Sequence, residues 1–305
     1  MLSNSIKIIL VYALACLIWG STWIAIKTSL DSLTPFLSAG LRFVIASTFI
    51  LLILKITKTE IQKDKLSIRL YLVMTFFSFV FPFGLVYWAE QFVPTGLSSV
   101  LFAVNPFFVV LFAYFLISSE KIGFFKFTGI ILGFAGILVI FSGTFNLDYS
   151  AYTLGMIAII LSASFQALNS VFIKKYGGHL NPISMNFIPM LLGGIILSVS
   201  GLFLEDTSII KFDSTALLAV LYLAIFGSIV TFTSFYWLLK RISVVILSLI
   251  AFITPVIALF LGWIFFSEQL SFNEMMGSLL VLFGLLWANF GNIIKLNKMR
   301  NKVTV

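Results

Sequence analysis

The chain has 305 residues, of which 61% are hydrophobic and 10% charged, and its mean hydropathy is +1.14. A soluble domain has about 45–50% apolar and about 25% charged residues, so this composition excludes a soluble enzyme, a disordered chain and a disulfide-built scaffold. The net charge of +8 is scattered between apolar runs and predicts no nucleic-acid groove, so the expected surroundings are a lipid bilayer, with no nucleic acid as partner.

Ten apolar runs are long enough to cross a bilayer. A crossing helix needs about 20 mostly apolar residues, and backbone groups in hydrocarbon must be satisfied within the helix. The first run continues past a faint cleavage pattern at residues 13–15, so we expect a retained helix rather than a signal peptide. In chain order, the predicted spans of this all-α polytopic membrane protein are 6–26, 33–54, 69–89, 95–117, 124–142, 152–173, 183–204, 215–238, 244–266 and 275–294.

The distribution of basic residues predicts the orientation of these spans. With a cytoplasmic N-terminus, 16 of the 19 Lys and Arg residues lie in cytoplasmic segments, and Lys27 and Lys211 lie outside. Because cytoplasmic loops carry an excess of Lys and Arg, we expect both termini to be cytoplasmic in a multi-pass protein of the cytoplasmic (inner) membrane. The remaining basic residue, Arg42, falls inside the second span.

The chain nearly repeats itself after 147–149 residues, which predicts two units, 1–146 and 147–305. Each unit has five spans, an odd number, so the second must be inverted relative to the first. Inverted repeats are typical of secondary transporters, which have two conformations open to opposite sides of a central site. The matching positions are Lys27 and Lys174, Pro35 and Pro182, Tyr87-Trp88 and Tyr236-Trp237, Pro106 and Pro255, Ser119-Glu120 and Ser267-Glu268, Gly129 and Gly277, and Gly136 and Gly284.

These patterns resemble the drug/metabolite transporter superfamily, and within it the EamA-like family of ten-helix transporters, over essentially the whole chain. The second half departs from the first at Gln166-Ala167, where the first has Trp-Gly, and at Pro189, where the first has Arg42. The resemblance rests on Trp19-Gly20-Ser21 with Lys27, Pro35 followed by Arg42-Phe43, Ala103 to Pro106, and the Glu120, Gly129, Gly136 series that returns as Glu268, Gly277, Gly284.

The resemblance implies a basket of helices around a central cavity, lined by the first, third, fourth, sixth, eighth and ninth spans. It also implies a small-molecule solute as partner, with export of amino acids or related metabolites as the expected activity. Import or exchange of another small organic solute is the alternative. An intramembrane lipid-modifying enzyme is a rival from another class, but the lone His179 and the peripheral acids argue against it.

Arg42 is the first candidate for solute binding. It lies about seven residues inside Pro35, roughly 10 Å along a helix, where an unpaired charge costs at least about 2.5 kcal/mol. It is either a counter-charge for a solute anion or the structural partner of Glu90, which lies at the external end of the third span.

The sixth span carries Ser162, Gln166 and Asn169 on one helical face, which predicts either bonds between helices or a wet cavity. Aromatic residues are further candidates, because aromatic walls suit amphipathic solutes and can bind a cation. Tyr87 and Tyr236, near span ends, also fit an ordinary membrane-interface belt. The complete set of predicted cavity residues is Trp19, Trp23, Arg42, Asn105, Gln166, Asn169, Thr254, Tyr87 and Tyr236.

Asn105-Pro106 and Thr254-Pro255 occupy equivalent positions in the fourth and ninth spans, where proline removes a backbone donor and predicts a kink. Pro106 and Pro255 are therefore candidate hinges of alternating access. Gly129, Gly133, Gly136, Gly277 and Gly284 are expected to pack helices closely.

We predict no cofactor, no metal site and no enzymatic activity, because the chain has one His, one Cys and no phosphate-binding loop. No carboxylate lies in the middle third of a span. Protons are one candidate coupling ion, with Glu90 the only acid near a span, and the oligomeric state stays open.

Overall fold

The computed structural model describes residues 4–117, 123–142, 151–181, 183–239, 241–242, 247 and 250–303, with side chains throughout except at 4, 236, 239 and 291–303. These residues form helices and their connections, with no strand among them. Eight continuous helical segments in this part of the chain are long and apolar enough to cross a membrane, and a shorter apolar helix follows at Ile250–Phe266. The predicted all-α membrane fold is confirmed.

Thirteen α-helices are described. Two π-helical segments, Thr75–Val80 and Ile225–Val230, join α3 to α4 and α10 to α11 as continuous rods. In chain order the helices are α1 (Asn4–Leu30), α2 (Pro35–Thr57), α3 (Lys65–Met74), α4 (Phe81–Ala89), α5 (Thr95–Phe102), α6 (Asn105–Leu116), α7 (Phe124–Ser142), α8 (Ala151–Tyr176), α9 (Ser184–Leu204), α10 (Ser214–Ala224), α11 (Thr231–Leu239), α12 (Ile250–Phe266) and α13 (Phe272–Val303).

The ten predicted spans correspond to these helices with differences at their ends. The first span continues to Leu30 and the third begins at Lys65. The ninth corresponds to α12 and the tenth to the first part of α13, while 244–246 and 248–249 of the ninth lie outside the described residues. Helix starts are set locally: Asp64 accepts hydrogen bonds from the backbone at the start of α3, as Asp213 does for α10.

Equivalent helices of the two halves pair with each other in opposite directions. A Cβ atom at Gly129 of α7 would lie 2.6 Å from the Gly284 carbonyl of α13, and one at Gly136 would lie 2.7 Å from the Gly277 carbonyl. Residue numbers rise along α7 while the numbers of the contacting residues fall along α13, so the two helices are antiparallel. The predicted close packing at these glycines is confirmed.

The second and seventh spans repeat this arrangement. A Cβ atom at Gly40 of α2 would lie 2.5 Å from the Ser198 backbone nitrogen of α9, and one at Gly194 would lie 2.8 Å from the Val44 nitrogen. In both pairs a helix therefore runs antiparallel to its own repeat equivalent. This geometry confirms that the second half is inverted relative to the first.

The bundle has two ends, which we name after the predicted orientation. The outer end carries Leu30, Pro35, Ala89 and Thr95, where α1, α4, α2 and α5 end or begin. The inner end carries Lys65, at the opposite end of the rod that α3 and α4 form. The two π-helical segments lie at nearly equivalent positions of the halves, and such segments are frequent at functional sites.

Candidate functional site

Arg42 of α2 is buried against the π-helical segment of the eighth span, with 4% of its surface exposed. Its Nε donates to the Ser228 hydroxyl at 3.2 Å, and its two terminal nitrogens donate to the Gly227 carbonyl at 3.3 Å and the Tyr87 hydroxyl at 3.4 Å. Its guanidinium also lies 5.0 Å from the Phe83 ring centre, close enough for a cation–π contact. Uncharged groups thus surround the charge.

The predicted alternative, an ion pair between Arg42 and Glu90, is not formed in the described structure. All three hydrogen bonds of Arg42 go to neutral oxygens. The Glu90 side chain is fully buried, and neither carboxyl oxygen has a hydrogen-bond partner in the part of the chain that the structure describes. Two buried ionisable side chains on neighbouring helices therefore remain separate.

The predicted aromatic residues fall into two groups. Trp23 packs edge-on against Phe102 of α5, with ring centres 5.6 Å apart, in the same apolar cluster as Tyr87. Trp19 packs instead against α11, 5.7 Å from the Phe235 ring. Tyr87 is fully buried beside Arg42, so the alternative that it belongs to a membrane-interface belt is wrong. The Tyr236 side chain lies outside the described residues.

The predicted polar face of α8 divides into two environments. The Ser162 hydroxyl donates to the Pro82 carbonyl of α4, so this residue links helices. Asn169 is buried, and its side-chain oxygen has no partner among the described residues. Gln166 is half-buried. The Asn105 amide crosses from α6 and donates to the Ala163 carbonyl of α8 at 2.8 Å.

The two candidate hinges differ in structure. The fourth span is interrupted at 103–104, directly before Asn105-Pro106, so Pro106 lies in the first turn of α6, where its missing N–H leaves no helical bond unmade. Pro255 lies inside the continuous helix α12 instead. The backbone oxygen of its neighbour Thr254 would lie 3.3 Å from a Cβ atom at Gly20, which places this point of α12 against α1.

One carboxylate joins the outer ends of the fourth and ninth spans. Glu268, just after α12, accepts hydrogen bonds from the backbone nitrogens of Thr95 and Gly96 at 2.8 and 3.1 Å, at the first turn of α5. Its Oε1 also lies 3.1 Å from the Lys27 ammonium of α1. Partial burial raises the pKa of Glu268, but the hydrogen bonds and the Lys27 charge outweigh it and lower the pKa.

A second carboxylate from the second half, like Glu268, caps a helix of the first half. Glu205, at the end of α9, accepts hydrogen bonds from the backbone nitrogens of Phe36 and Leu37 at 2.9 and 3.4 Å, at the positive end of the α2 dipole. Sequence reasoning missed this contact, as it missed Ser228 beside Arg42. Both are long-range contacts that no local pattern marks, whereas the repeated Ser-Glu string did mark Glu268.

Two clefts of about 500 and 460 Å³ open on the side of the bundle, between α1, α10 and α12. Ser21 and Tyr222 line both, with their hydroxyl oxygens 2.6 Å apart, and nearly all other lining residues are apolar. Exposed Leu218 and Phe260 at the cleft walls place them on the lipid-facing surface. None of the predicted site residues whose side chains are described lines either cleft, so we do not assign the solute to these clefts.

Known proteins are similar to the chain over most of its length. It is 29% identical to an uncharacterized transporter, YoaV, of Bacillus subtilis (strain 168), over 93% of this chain and 97% of that protein. It is 27% identical to the protein PagO of Salmonella typhimurium, over 90% of each. It is 29% identical to an uncharacterized inner membrane transporter, YedA, of Escherichia coli (strain K12), over 91% of this chain and 89% of that protein.

A crystal structure with 18% sequence identity matches 92% of this chain and 96% of its own, with a TM-score of 0.66, and at that identity it shows the fold alone. The EamA-like transporter family matches twice, at residues 6–142 and 153–290. Together these two segments cover most of the chain, one in each half. The chain therefore belongs to the EamA-like transporter family.

Proposed function

We propose that this transporter moves a small organic solute by alternating access, with export of amino acids or related metabolites as its activity. The observation that carries the proposal is the antiparallel pairing of equivalent helices, α2 with α9 and α7 with α13. An inverted repeat can exchange the conformations of its halves, which opens the protein to the opposite side. In this structure Glu268 ties the outer ends of α5 and α12 together, which fits a state closed at the outer end.

Arg42 is the proposed counter-charge for a carboxylate of the solute. A guanidinium has five N–H donors, and the structure gives three hydrogen bonds, all to neutral oxygens. A buried charge without an opposite charge is costly, so an anion that reaches it gains both charge pairing and bidentate hydrogen bonds. Amino acids carry such a carboxylate. The nearby aromatic residues Trp23 and Phe83 would contact the apolar part of the solute.

Counterflow in proteoliposomes tests this proposal. The purified full chain is reconstituted with a panel of unlabelled amino acids inside, and entry of the labelled amino acid is measured. We expect saturable accumulation for at least one amino acid and little for the matching amine that lacks the carboxylate. An absence of counterflow for every member of an amino acid and organic acid panel would contradict the proposed activity.

Arg42 variants test the carboxylate contact separately. We expect Arg42→Met to lose the preference for the acid over its amine, and Arg42→Lys to lose much of it, because lysine keeps the charge but not the planar fork. Membrane abundance of each variant is the control. An Arg42→Lys protein with normal abundance and normal transport would exclude a specific guanidinium–carboxylate contact while leaving the carrier itself intact.

The orientation is part of the same proposal: the protein resides in the inner membrane with both termini in the cytoplasm. The charge distribution of the loops supports it. Cysteines placed at exposed Asp31 and at exposed Lys63, in a chain without Cys16, would report it through a membrane-impermeant maleimide applied to intact cells. We expect labelling at residue 31 and none at residue 63, and the reverse pattern would invert the assignment.

A further inference from the structure

Glu90 is a buried carboxyl group to which no described residue donates a hydrogen bond. It follows α4 directly, just outside the span Lys65–Ala89, and its side chain has 0% exposure. Its neighbours in the chain, Ala89 and Val93, belong to an apolar core cluster with Met156 of α8. Among the described residues, neither carboxyl oxygen has a partner at hydrogen-bond distance, and the nearby Ser98 hydroxyl has none either. An ionised carboxylate here would lose its water, and the nearby Ser98 hydroxyl would offset only part of that loss.

The cation that favours ionisation of Glu90 is already engaged. The Lys27 ammonium favours ionisation of Glu90, but its ion pair is with Glu268, 3.1 Å away. Glu268 itself opposes a second negative charge. The charged and titratable groups on the elements packed around this end include Lys27 of α1, Arg42 of α2, Tyr87 of α4, Tyr152 of α8, Glu268 after α12, Glu274 of α13, which accepts a hydrogen bond from Tyr152, Asp31 after α1, and Glu205, which caps α2.

Burial has the largest effect on the pKa of Glu90. Desolvation holds the pKa of Glu90 well above its ordinary value, because its effect exceeds that of the Lys27 charge and of Ser98. With Glu90 buried as in this structure, its protonated form is therefore favoured. Parting of α5 and α12 would separate Glu268 from Thr95 and Gly96 and admit water to this end.

We propose that Glu90 is a proton-binding site that controls the outer end of the carrier: the closed state holds the proton, and the open state releases it to the external water. On opening, water accepts the proton from the Glu90 carboxyl group, and the resulting carboxylate is stabilised by hydration and by Lys27. On closing, the carboxylate takes up one proton before it is buried. The inference rests on the proposed function, since it presumes that the outer end opens.

The proton itself can be observed in the purified full chain in lipid nanodiscs. An infrared pH titration follows the carbonyl stretch of protonated carboxyl groups in wild type, in Glu90→Gln and, as a control, in Asp31→Asn at an exposed outer position. Glutamine has the shape of the neutral acid, so the variant should fold. We expect a band that persists above the pH at which exposed acids ionise, present in wild type and the control and absent from Glu90→Gln.

The effect on the outer end is measured by labelling of Leu259→Cys in a chain without Cys16. Leu259 of α12 faces Gly96 of α5, where an added Cβ would lie 2.7 Å from its Cδ2 atom, so labelling reports separation of these helices. For one linked proton the ratio of the wild-type labelling rate to that of Glu90→Gln should rise by up to about tenfold per pH unit between the pKa of Glu90 in the open state and its raised pKa in the closed state, and should level off above the latter. Glu90→Gln should label more slowly than wild type in this range, and its rate should depend on pH only through ionisation of the cysteine thiol.

The outcomes separate this inference from the proposed function, because neither readout requires transport. The same infrared band in Glu90→Gln, or the same pH dependence of labelling as in wild type, would overturn the proton site. If Glu90→Gln, and not the control variant, loses the infrared band and the pH dependence of helix separation, the proton site is supported, even if no solute of the panel is transported. If wild type shows counterflow but Glu90→Gln labels at the same rate as wild type, the protein is a carrier whose outer end is not controlled by a proton on Glu90.

Discussion

Gly136 gives the sharpest test of the inverted packing. Gly136→Ala would place a methyl group 2.7 Å from the Gly277 carbonyl oxygen and 2.8 Å from the Val281 backbone nitrogen. Ordinary contacts of carbon are about 3.5–4.0 Å, and both neighbours are backbone atoms of a helix that cannot turn aside. The pair α7 and α13 would have to separate by about 1 Å locally. Overpacking of this kind costs about 1–3 kcal/mol in free energy of unfolding.

The control for this change is Gly84→Ala in α4. An added Cβ there would lie 3.5 Å from the nearest atom, Leu197 Cδ2, an ordinary contact. Because alanine favours a helix over glycine by about 0.8–1 kcal/mol, we expect no loss of stability. The free energy of unfolding is measured by titrating both purified proteins with denaturing detergent in mixed micelles. Equal unfolding midpoints for the Gly136 and Gly84 variants would refute the close approach of the helices.

The repeat adds a stricter requirement. An added Cβ at Gly277 would lie 2.5 Å from the Gly136 carbonyl oxygen, so the two glycines obstruct the same contact from opposite sides. Once one alanine has separated the helices, the second should cost less, and the double variant should lose less free energy than the two single variants combined. Full additivity would mean that these residues do not share a contact.

Three further predictions concern the ends and the hinges. Glu268→Ala should raise the labelling rate of Leu259→Cys several-fold, because the first turn of α5 loses its cap; an unchanged rate would contradict the closure. Pro106→Ala and Pro255→Ala should each lower counterflow at normal abundance, and normal transport by both would exclude the hinge role. The raised pKa of Glu90 means that the folded state holds a proton that the unfolded state loses above about pH 4.5. Stability should therefore fall as pH rises towards the folded pKa, and Glu90→Gln should remove that part of the slope in thermal unfolding.

The elements of the fold could be predicted from the sequence because hydrocarbon imposes length and composition on each span. The inversion followed from the odd number of spans in each half, and the glycines of α7 and α13 followed from the repeat. The π-helical segments could not be predicted, since one extra residue in a turn leaves the hydropathy of a span unchanged. The interruption at 103–104 could be predicted only as a proline kink.

Single contacts across the bundle were harder to predict. Glu90 was the natural partner for Arg42 because both lie towards one end, but spacing along a helix does not give the direction of a side chain. The actual neighbours are Tyr87, 45 residues away, and Ser228, 186 residues away. The Gly227 carbonyl accepts from Arg42 within a π-helical segment, where backbone bonding departs from the α-helical pattern. Only a folded structure reveals such an acceptor.

The separation of Arg42 from Glu90 has a consequence for the proposed cycle. Had the two formed an ion pair, breaking it would leave a buried charge, at a cost of about 3–5 kcal/mol, and neither group would be free for a ligand. Instead Tyr87 accepts a hydrogen bond from the arginine and is close enough to Glu90 to feel its charge. A solute carboxylate at Arg42 would add a negative charge to these surroundings, which favours the protonated form of Glu90. Binding of an anion would thus favour closure of the outer end through the same proton, and the infrared band of Glu90 should shift to higher pH when a transported carboxylate is added.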